Sequence, residues 1–564
     1  MSDLESDVFL ENANSRTKIS ANQRIEDILG FGRFQFFQSW VYIFLIGFLG
    51  AMTMFQLVFL ITTPPTRCAL PDNIKDDPFL YQDHVMECEM AEISTTNAEC
   101  MAFGGMADFI SNQCFHETNK ISCPNGQFFN LSSSDAFHSL AVENDWVCDQ
   151  ADRGANLMMA QSIGSIINGL IVMQLSDSWG RKPVILLTNL LFIVTRTTFL
   201  FFTEYYYLSM VLVAVGSGYF PLGIRVAYTL AAEFTNERGR HHVYVAGWAS
   251  WVLGMVSLAM IAWACQHWFI YGLITSLSGL LLLPFMILMP ESPRLLLNQG
   301  KISEAKKVIE TIKKYNKEPV PPNLGLELAQ ISREVQGEAG FGLRSLASSK
   351  YLMILTMVLG VTWTVNDFFY IGGQLNVENL AGNQFVNFAI ISLTEMPSVF
   401  IGEFFINRVG RRWTHCVCMI LTTICFAAII PIAEDDSLGW LVTTLAIVAK
   451  TLGNIGWYIN YVQNMEIFPT CARVTGMNLT STVALVFGTV GPYVILLGKS
   501  DIKMMYGIFV MMGVIGTITT SFVPETLKQE FPECVEDLAR SKRYPYLSWR
   551  VWNADQKERM TNSK

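Results

Sequence analysis

The chain has 564 residues, of which 51% are hydrophobic and only 15% charged. That balance excludes a single soluble domain with an apolar core and a polar skin, because too few charged side chains remain to cover such a surface. The composition is that of a polytopic membrane protein.

Residues 1–35 carry Glu5, Asp7, Arg16, Lys18 and Arg24 and lack the apolar core and small-residue cleavage site of a signal peptide, so this segment is expected to stay in the cytosol. Helix 1 is expected at 36–62, the first apolar run of the roughly 20 residues needed to cross a hydrocarbon core of about 30 Å. A long polar loop, 63–153, follows and holds Cys68, Cys88, Cys100, Cys114, Cys123 and Cys148 with one glycosylation sequon at Asn130. Helices 2–6, within 154–289, are expected near 154–176, 183–203, 208–230, 243–264 and 268–289. The linker 290–350 contains ISEAKKVIETIKKYNK, whose Ile302, Ala305, Val308, Ile309 and Ile312 share one helical face. This amphipathic helix is expected to lie on anionic headgroups, to brace the two halves, or simply to be solvated. Six more helices, within 351–523, are expected near 351–371, 383–406, 413–433, 438–460, 472–497 and 502–523, before a charged and aromatic tail, 524–564.

Twelve spans put both ends on one side. The excess of Lys and Arg lies in the segments grouped with the termini, while the opposite face holds Arg67, Lys75, Lys120, Arg153, Lys499 and Lys503. Cytoplasmic segments carry that excess, so both termini are expected in the cytosol and loop 63–153 outside. An even set of six cysteines on the oxidising face reads as three disulfides, with 15 possible pairings.

The halves repeat. SDSWGRK, with Asp177, Gly180, Arg181 and Lys182 between helices 2 and 3, recurs as NRVGRRW, with Arg408, Gly410, Arg411 and Arg412 between helices 8 and 9. Glu233 after helix 4 recurs as Glu466 after helix 10, and PESPR at Pro290 recurs as PET at Pro524; the three offsets are 230, 233 and 234 residues.

Two six-helix halves with such turns resemble the major facilitator superfamily, which implies an all-α polytopic fold with twelve transmembrane helices in two six-helix pseudo-repeats. The first turn matches the superfamily pattern at Leu175, Asp177, Gly180, Arg181 and Lys182 but has Met173 and Ser178 where Gly and Arg are usual. The resemblance implies that the turns, with Glu233 and Glu466 as partners, form a conformational latch. The cysteine-rich loop, PPTRC, DWVCD, PESPRLL and EIFPTCAR further resemble the organic ion (cation, anion and carnitine) transporters of the solute carriers, and the resemblance runs from Phe31 to Glu530. It implies transport of small organic ions by alternating access at the plasma membrane. The alternative is a receptor or scaffold of the same fold, suggested by the altered first turn and Leu485.

Ionisable side chains inside the bilayer usually face protein or a cavity. Glu395 and Lys450 fall near mid-membrane and are candidates for substrate binding, or for an ion pair with each other. Arg225, Arg196 and Asp367 fall nearer the helix ends, where snorkelling or local pairing is an alternative. Trp363 and Tyr370, two turns apart with Asn366 between them, would give an organic ion an aromatic face; Trp248, Trp251, Trp457, Tyr458 and Tyr461 could close a cage. The resemblance implies an Asp or Arg at Leu485, a Lys at Val399 or a Glu at Tyr458 according to substrate charge, and this chain has none of them. Its seven histidines have no metal-ligand spacing. No catalytic arrangement, cofactor or metal site is expected, and no nucleic-acid partner; the expected partners are a small organic ion, the lipid bilayer and a possible coupled ion.

Overall fold

The computed structural model describes residues 21–64, 66–68, 89–93, 115–123, 127–129, 137–218, 223–336, 350–468 and 473–527. The spanning helices are α1 (Arg33–Leu60), α2 (Asp152–Ser178), α3 (Arg181–Phe201), α4 in two pieces (Tyr206–Gly216 and Ile224–Glu233), α5 (Glu237–Cys265), α6 (Trp268–Leu288), α7 (Lys350–Leu375), α8 (Gln384–Arg408), α9 (Arg411–Ile432), α10 (Gly439–Ile467), α11 (Thr475–Ser500) and α12 (Ile502–Phe522). Ten are long and apolar enough to cross a bilayer outright. Of the other two, α4 is described on either side of residues 219–222. Helix α10, though 29 residues long, carries too many polar groups on its buried side to qualify by hydropathy.

Outward positions such as Leu170, Val194, Tyr207, Leu288 and Phe400 are apolar and exposed, as a lipid-facing belt requires. Helices α1 and α5 pack at close range, where a Cβ on Gly254 would come within 2.4 Å of the Phe48 carbonyl oxygen. Helix α8 breaks at Thr394, because Pro397, four residues after Leu393, has no N–H for the Leu393 carbonyl and its ring crowds that oxygen. The second segment therefore begins at Glu395.

The all-helical expectation holds for the membrane part. The loop adds two antiparallel ribbons, Thr66–Cys68 with Gln127–Phe129 and Glu89–Ile93 with Phe115–Ser122. Cys123 and Cys148 are disulfide-bonded; Cys88, Cys100, Cys114 and Asn130, and the side chain of Cys68, lie outside the described residues.

The amphipathic linker helix is real, Ile302–Asn316, and it does not use its apolar face on lipid. Ala305, Ile309 and Ile312 are buried in protein, against the flanking helices Pro293–Asn298 and Leu324–Gln336. Asn316 accepts a hydrogen bond from the Phe34 amide at 2.8 Å, and Glu26 accepts from Arg294 at 2.8 Å and from Arg240. Among the described residues these contacts fasten the linker to the N-terminal half.

The halves meet on the loop face. Phe59 of α1 packs on Phe385 and Phe388 of α8, with centroids 5.4 and 5.0 Å apart, Thr62 donates to Gln384 at 2.9 Å, and Tyr493 of α11 donates to Asn156 of α2. Further in, Trp248 of α5 packs on Trp457 of α10 at 5.9 Å. Loop-face closure with a cavity behind it is one end-state of a rocking pair of halves.

Candidate functional site

The most polar spanning helix organises the centre. Helix α10 buries Lys450, Asn454, Asn460, Gln463 and Asn464, polar groups that a lipid-facing helix could not accommodate. Lys450 and Glu395 do pair: Nζ and Oε1 are 3.8 Å apart, with the side chains 1% and 0% exposed. Lys450 also donates to the Tyr370 carbonyl at 2.5 Å and sits 3.7 Å from the centroid of that ring. The Tyr370 hydroxyl donates to Glu395 Oε2 at 3.3 Å and accepts from Trp251 Nε1 at 2.8 Å, while Trp248 Nε1 donates to the Glu395 carbonyl at 3.4 Å. Two indoles of the N-terminal half thus close over an ion pair of the C-terminal half.

A cavity lies beside this cluster, between α1, α2, α7 and α11, lined among others by Phe55, Met158, Gln161, Ile371, Leu485 and Asp367. Among the described residues that line it, Asp367 is the charged one. Its carboxylate accepts from Trp457 Nε1 at 2.9 Å, with the Trp363 indole nearby and Arg225 within electrostatic reach. Arg225 itself crosses between halves, donating to Ser481 of α11 at 3.1 Å. Trp457 stacks on Tyr461 at 6.1 Å, and Trp363 meets Tyr461 edge-on at 6.4 Å. Carboxylate, guanidinium and aromatic faces therefore converge at one end of an apolar chamber, an arrangement that can hold an organic ion by charge and by ring contact.

Sequence reading brought together Glu395, Lys450, Trp363, Tyr370, Trp248, Trp251, Trp457 and Tyr461, and the structure gathers them too. Asn366 is a correction. It is fully buried, donates to the Thr362 carbonyl at 2.8 Å and contacts His415 of α9 at 3.2 Å, so it points into the α7–α9–α10 packing and away from the chamber. Consecutive helical residues differ by about 100° in direction, and Asp367 takes the cavity side. For Asp367 the sequence left snorkelling or local pairing open; its signal was the acid flanked by Trp363 and Tyr370. Of the same two alternatives for Arg196 the structure excludes snorkelling, since the residue is only 2% exposed and contacts Gln161 and Phe192.

The repeated turns converge as well. Arg181 reaches Glu233 at 3.4 Å, and Arg411 binds Glu466 through two bonds of 3.1 and 3.0 Å. Each pair lies within its own half. Gly180 and Gly410 adopt φ of 121° and 109°, open to glycine, and release helices whose first amides need acceptors. Glu291 supplies them for Arg181 and Lys182 at 3.0 and 3.2 Å, and Glu525 for Arg411 and Arg412 at 2.9 and 3.1 Å. The three repeated markers are thus parts of one device per half: turn, arginine partner and helix cap. Lys182 donates to the Ile287 carbonyl at 2.8 Å, and Arg408 covers the Phe404 ring at 4.1 Å. The Asp177 side chain lies outside the described residues.

Two linked six-helix halves around a central chamber define a polytopic membrane carrier of the major facilitator fold. Residues 108–538 match the sugar (and other) transporter family, and the chain belongs to it. The chain is 28% identical over 494 residues to the organic cation transporter protein of Drosophila melanogaster, covering 85% of this chain and 87% of that one. It is 26% identical over 529 residues to human solute carrier family 22 member 13, covering 92% of each. It is 25% identical over 505 residues to organic cation/carnitine transporter 2 of Rattus norvegicus, covering 86% of this chain and 88% of that one. In fold it is similar to the inward open conformation of the xylose transporter XylE from E. coli, with a TM-score of 0.56 and 16% identity, covering 70% of this chain and 92% of that one.

Proposed function

We propose that the chain carries small organic ions across the plasma membrane by alternating access, and that its substrates bear a positive charge, either alone or as part of a zwitterion. The observation that carries this reading is Asp367, the charged lining residue of the central chamber, set among Trp363, Trp457 and Tyr461. Arg225 nearby would meet the carboxylate of a zwitterion, while a lone anion would face Asp367 directly. Leu485, also in the lining, leaves the opposite wall apolar. The names of the Drosophila and rat relatives, an organic cation transporter and an organic cation/carnitine transporter, support the same class.

In this reading both termini and the linker are cytosolic, loop 63–153 is a glycosylated extracellular domain held by three disulfides, and the chamber faces the cytosol in the state described. Glu395 and Tyr370 hold the C-terminal half to Trp248 and Trp251 of the other half, and a change in that contact accompanies rocking. A coupled ion is compatible with this scheme.

Tracer uptake in oocytes against a panel of organic cations, organic anions and carnitine-like zwitterions tests the proposal. Expected is uptake of cations or zwitterions that Asp367→Asn lowers at least tenfold with surface density preserved. Uptake confined to anions would overturn the charge assignment. No uptake of any class, together with saturable binding of a panel member, would favour a receptor of carrier fold.

A further inference from the structure

Arg196 is a buried spanning-segment charge that the scheme above leaves without a task. It lies on α3 and is 2% exposed. One amino group donates to the Gln161 side chain; Nε and NH1 are buried with no hydrogen-bond partner. Among the described residues no carboxylate pairs with it, and Gln161 is its one hydrogen-bond partner. A guanidinium remains charged at any physiological pH, and a buried charge without a counterion is strongly disfavoured. The Phe192 ring, 5.9 Å away, offers a cation partial compensation only.

Arg196 lines a separate small pocket together with Thr53, Met54, Gln161, Phe192, Gly216 and Ser217. The hydroxyls in that wall are already turned elsewhere: Thr53 donates to the Gly50 carbonyl at 2.8 Å and Ser217 to the Ala214 carbonyl at 2.5 Å. The approach of α4 is also tight, since a Cβ on Gly216 would stand 3.4 Å from Arg196 Nε. Met54 and Gln161 belong to this wall and to the wall of the central chamber, so the two spaces adjoin across the Gln161 amide. That amide is held from both sides, accepting from Arg196 and donating to the Met54 carbonyl at 3.1 Å.

We infer that this cavity binds one small monovalent inorganic anion, of chloride or bromide size, against the free N–H groups of Arg196. A single positive charge matches a monovalent ion; a sulfate or phosphate dianion would leave excess negative charge in an apolar wall. The bound anion neutralises α3 within the N-terminal half and fixes Gln161, and through it the wall of the chamber opposite Asp367. The site is independent of which organic ion the carrier moves.

The test uses the purified full chain in detergent. Its thermal unfolding midpoint is followed while sodium gluconate is exchanged for sodium chloride or bromide at constant ionic strength, with sodium sulfate as a further series. Expected is a saturable rise of about 2–4 °C with either halide, absent with sulfate and absent in Arg196→Gln. A midpoint indifferent to halide in the wild type overturns the site. Should Arg196→Gln fail to fold, crystals of the wild type grown in bromide decide the matter: an anomalous peak within hydrogen-bonding range of Arg196 supports the site, and its absence overturns it.

Discussion

Removing one member of the Glu395–Lys450 pair gives a quantitative check on how the centre is held. The charges stand 3.8 Å apart, and at an effective dielectric near 20 such a pair attracts by about 4 kcal/mol. Breaking a buried pair from one side costs about 3–5 kcal/mol, because the remaining charge stays out of water. The two single variants are not equivalent. In Glu395→Gln, Lys450 keeps the Tyr370 carbonyl and ring. In Lys450→Met, Glu395 keeps the Tyr370 hydroxyl, while its Oε1 already accepts no hydrogen bond. Lys450→Met should therefore be the more damaging change, and the double variant should recover most of the loss. Surface density of the tagged protein and the unfolding midpoint in detergent, measured for all four members of the cycle, should give a coupling of about 2 kcal/mol or more. Losses that add within about 0.5 kcal/mol would refute the structural pair. Normal expression of Lys450→Met with selective loss of zwitterion uptake would instead assign Lys450 to the substrate.

Replacing Glu525 by Gln removes a charged helix cap and should lower stability by about 1–2 kcal/mol, and Glu291→Gln should cost a similar amount if the devices are equivalent; unfolding midpoints compare them directly. Arg411→Ala or Asp177→Asn should reach the surface and slow translocation more than it weakens equilibrium binding, since a latch acts on one conformation; normal transport rates in both would remove the latch. Mass mapping without reduction should find Cys68, Cys88, Cys100, Cys114, Cys123 and Cys148 in disulfides and Cys265, Cys416, Cys418 and Cys425 as thiols, as these four are in the structure. Protein made in eukaryotic cells should lose mass at Asn130 on deglycosylation, and an unchanged mass would mark the sequon as unused.

The spans and the two-fold repeat were legible in the chain because the bilayer imposes its demands locally. About 20 apolar residues suffice to cross, Lys and Arg sort by side, and a turn such as GRK carries its glycine and its charges together. Mid-membrane Glu395 and Lys450 stood out for the same reason, as charges in an otherwise apolar run. What a buried polar group does, however, depends on partners far away in sequence. Asn366 and Asp367 are neighbours in the chain, yet one turns to His415 and the other to the chamber, and that choice is set by how α7 is rotated against α9 and α10. Glu291 and Glu525 were visible only as members of repeated tripeptides; their role as caps exists once α6 and α12 return to the amides of α3 and α9. Arg196 looked shallow by its depth along α3, and only the packing of α2 and α4 around it encloses the charge. A helix alone specifies how deep a residue lies, whereas the direction it faces and the partner it meets belong to the assembled bundle.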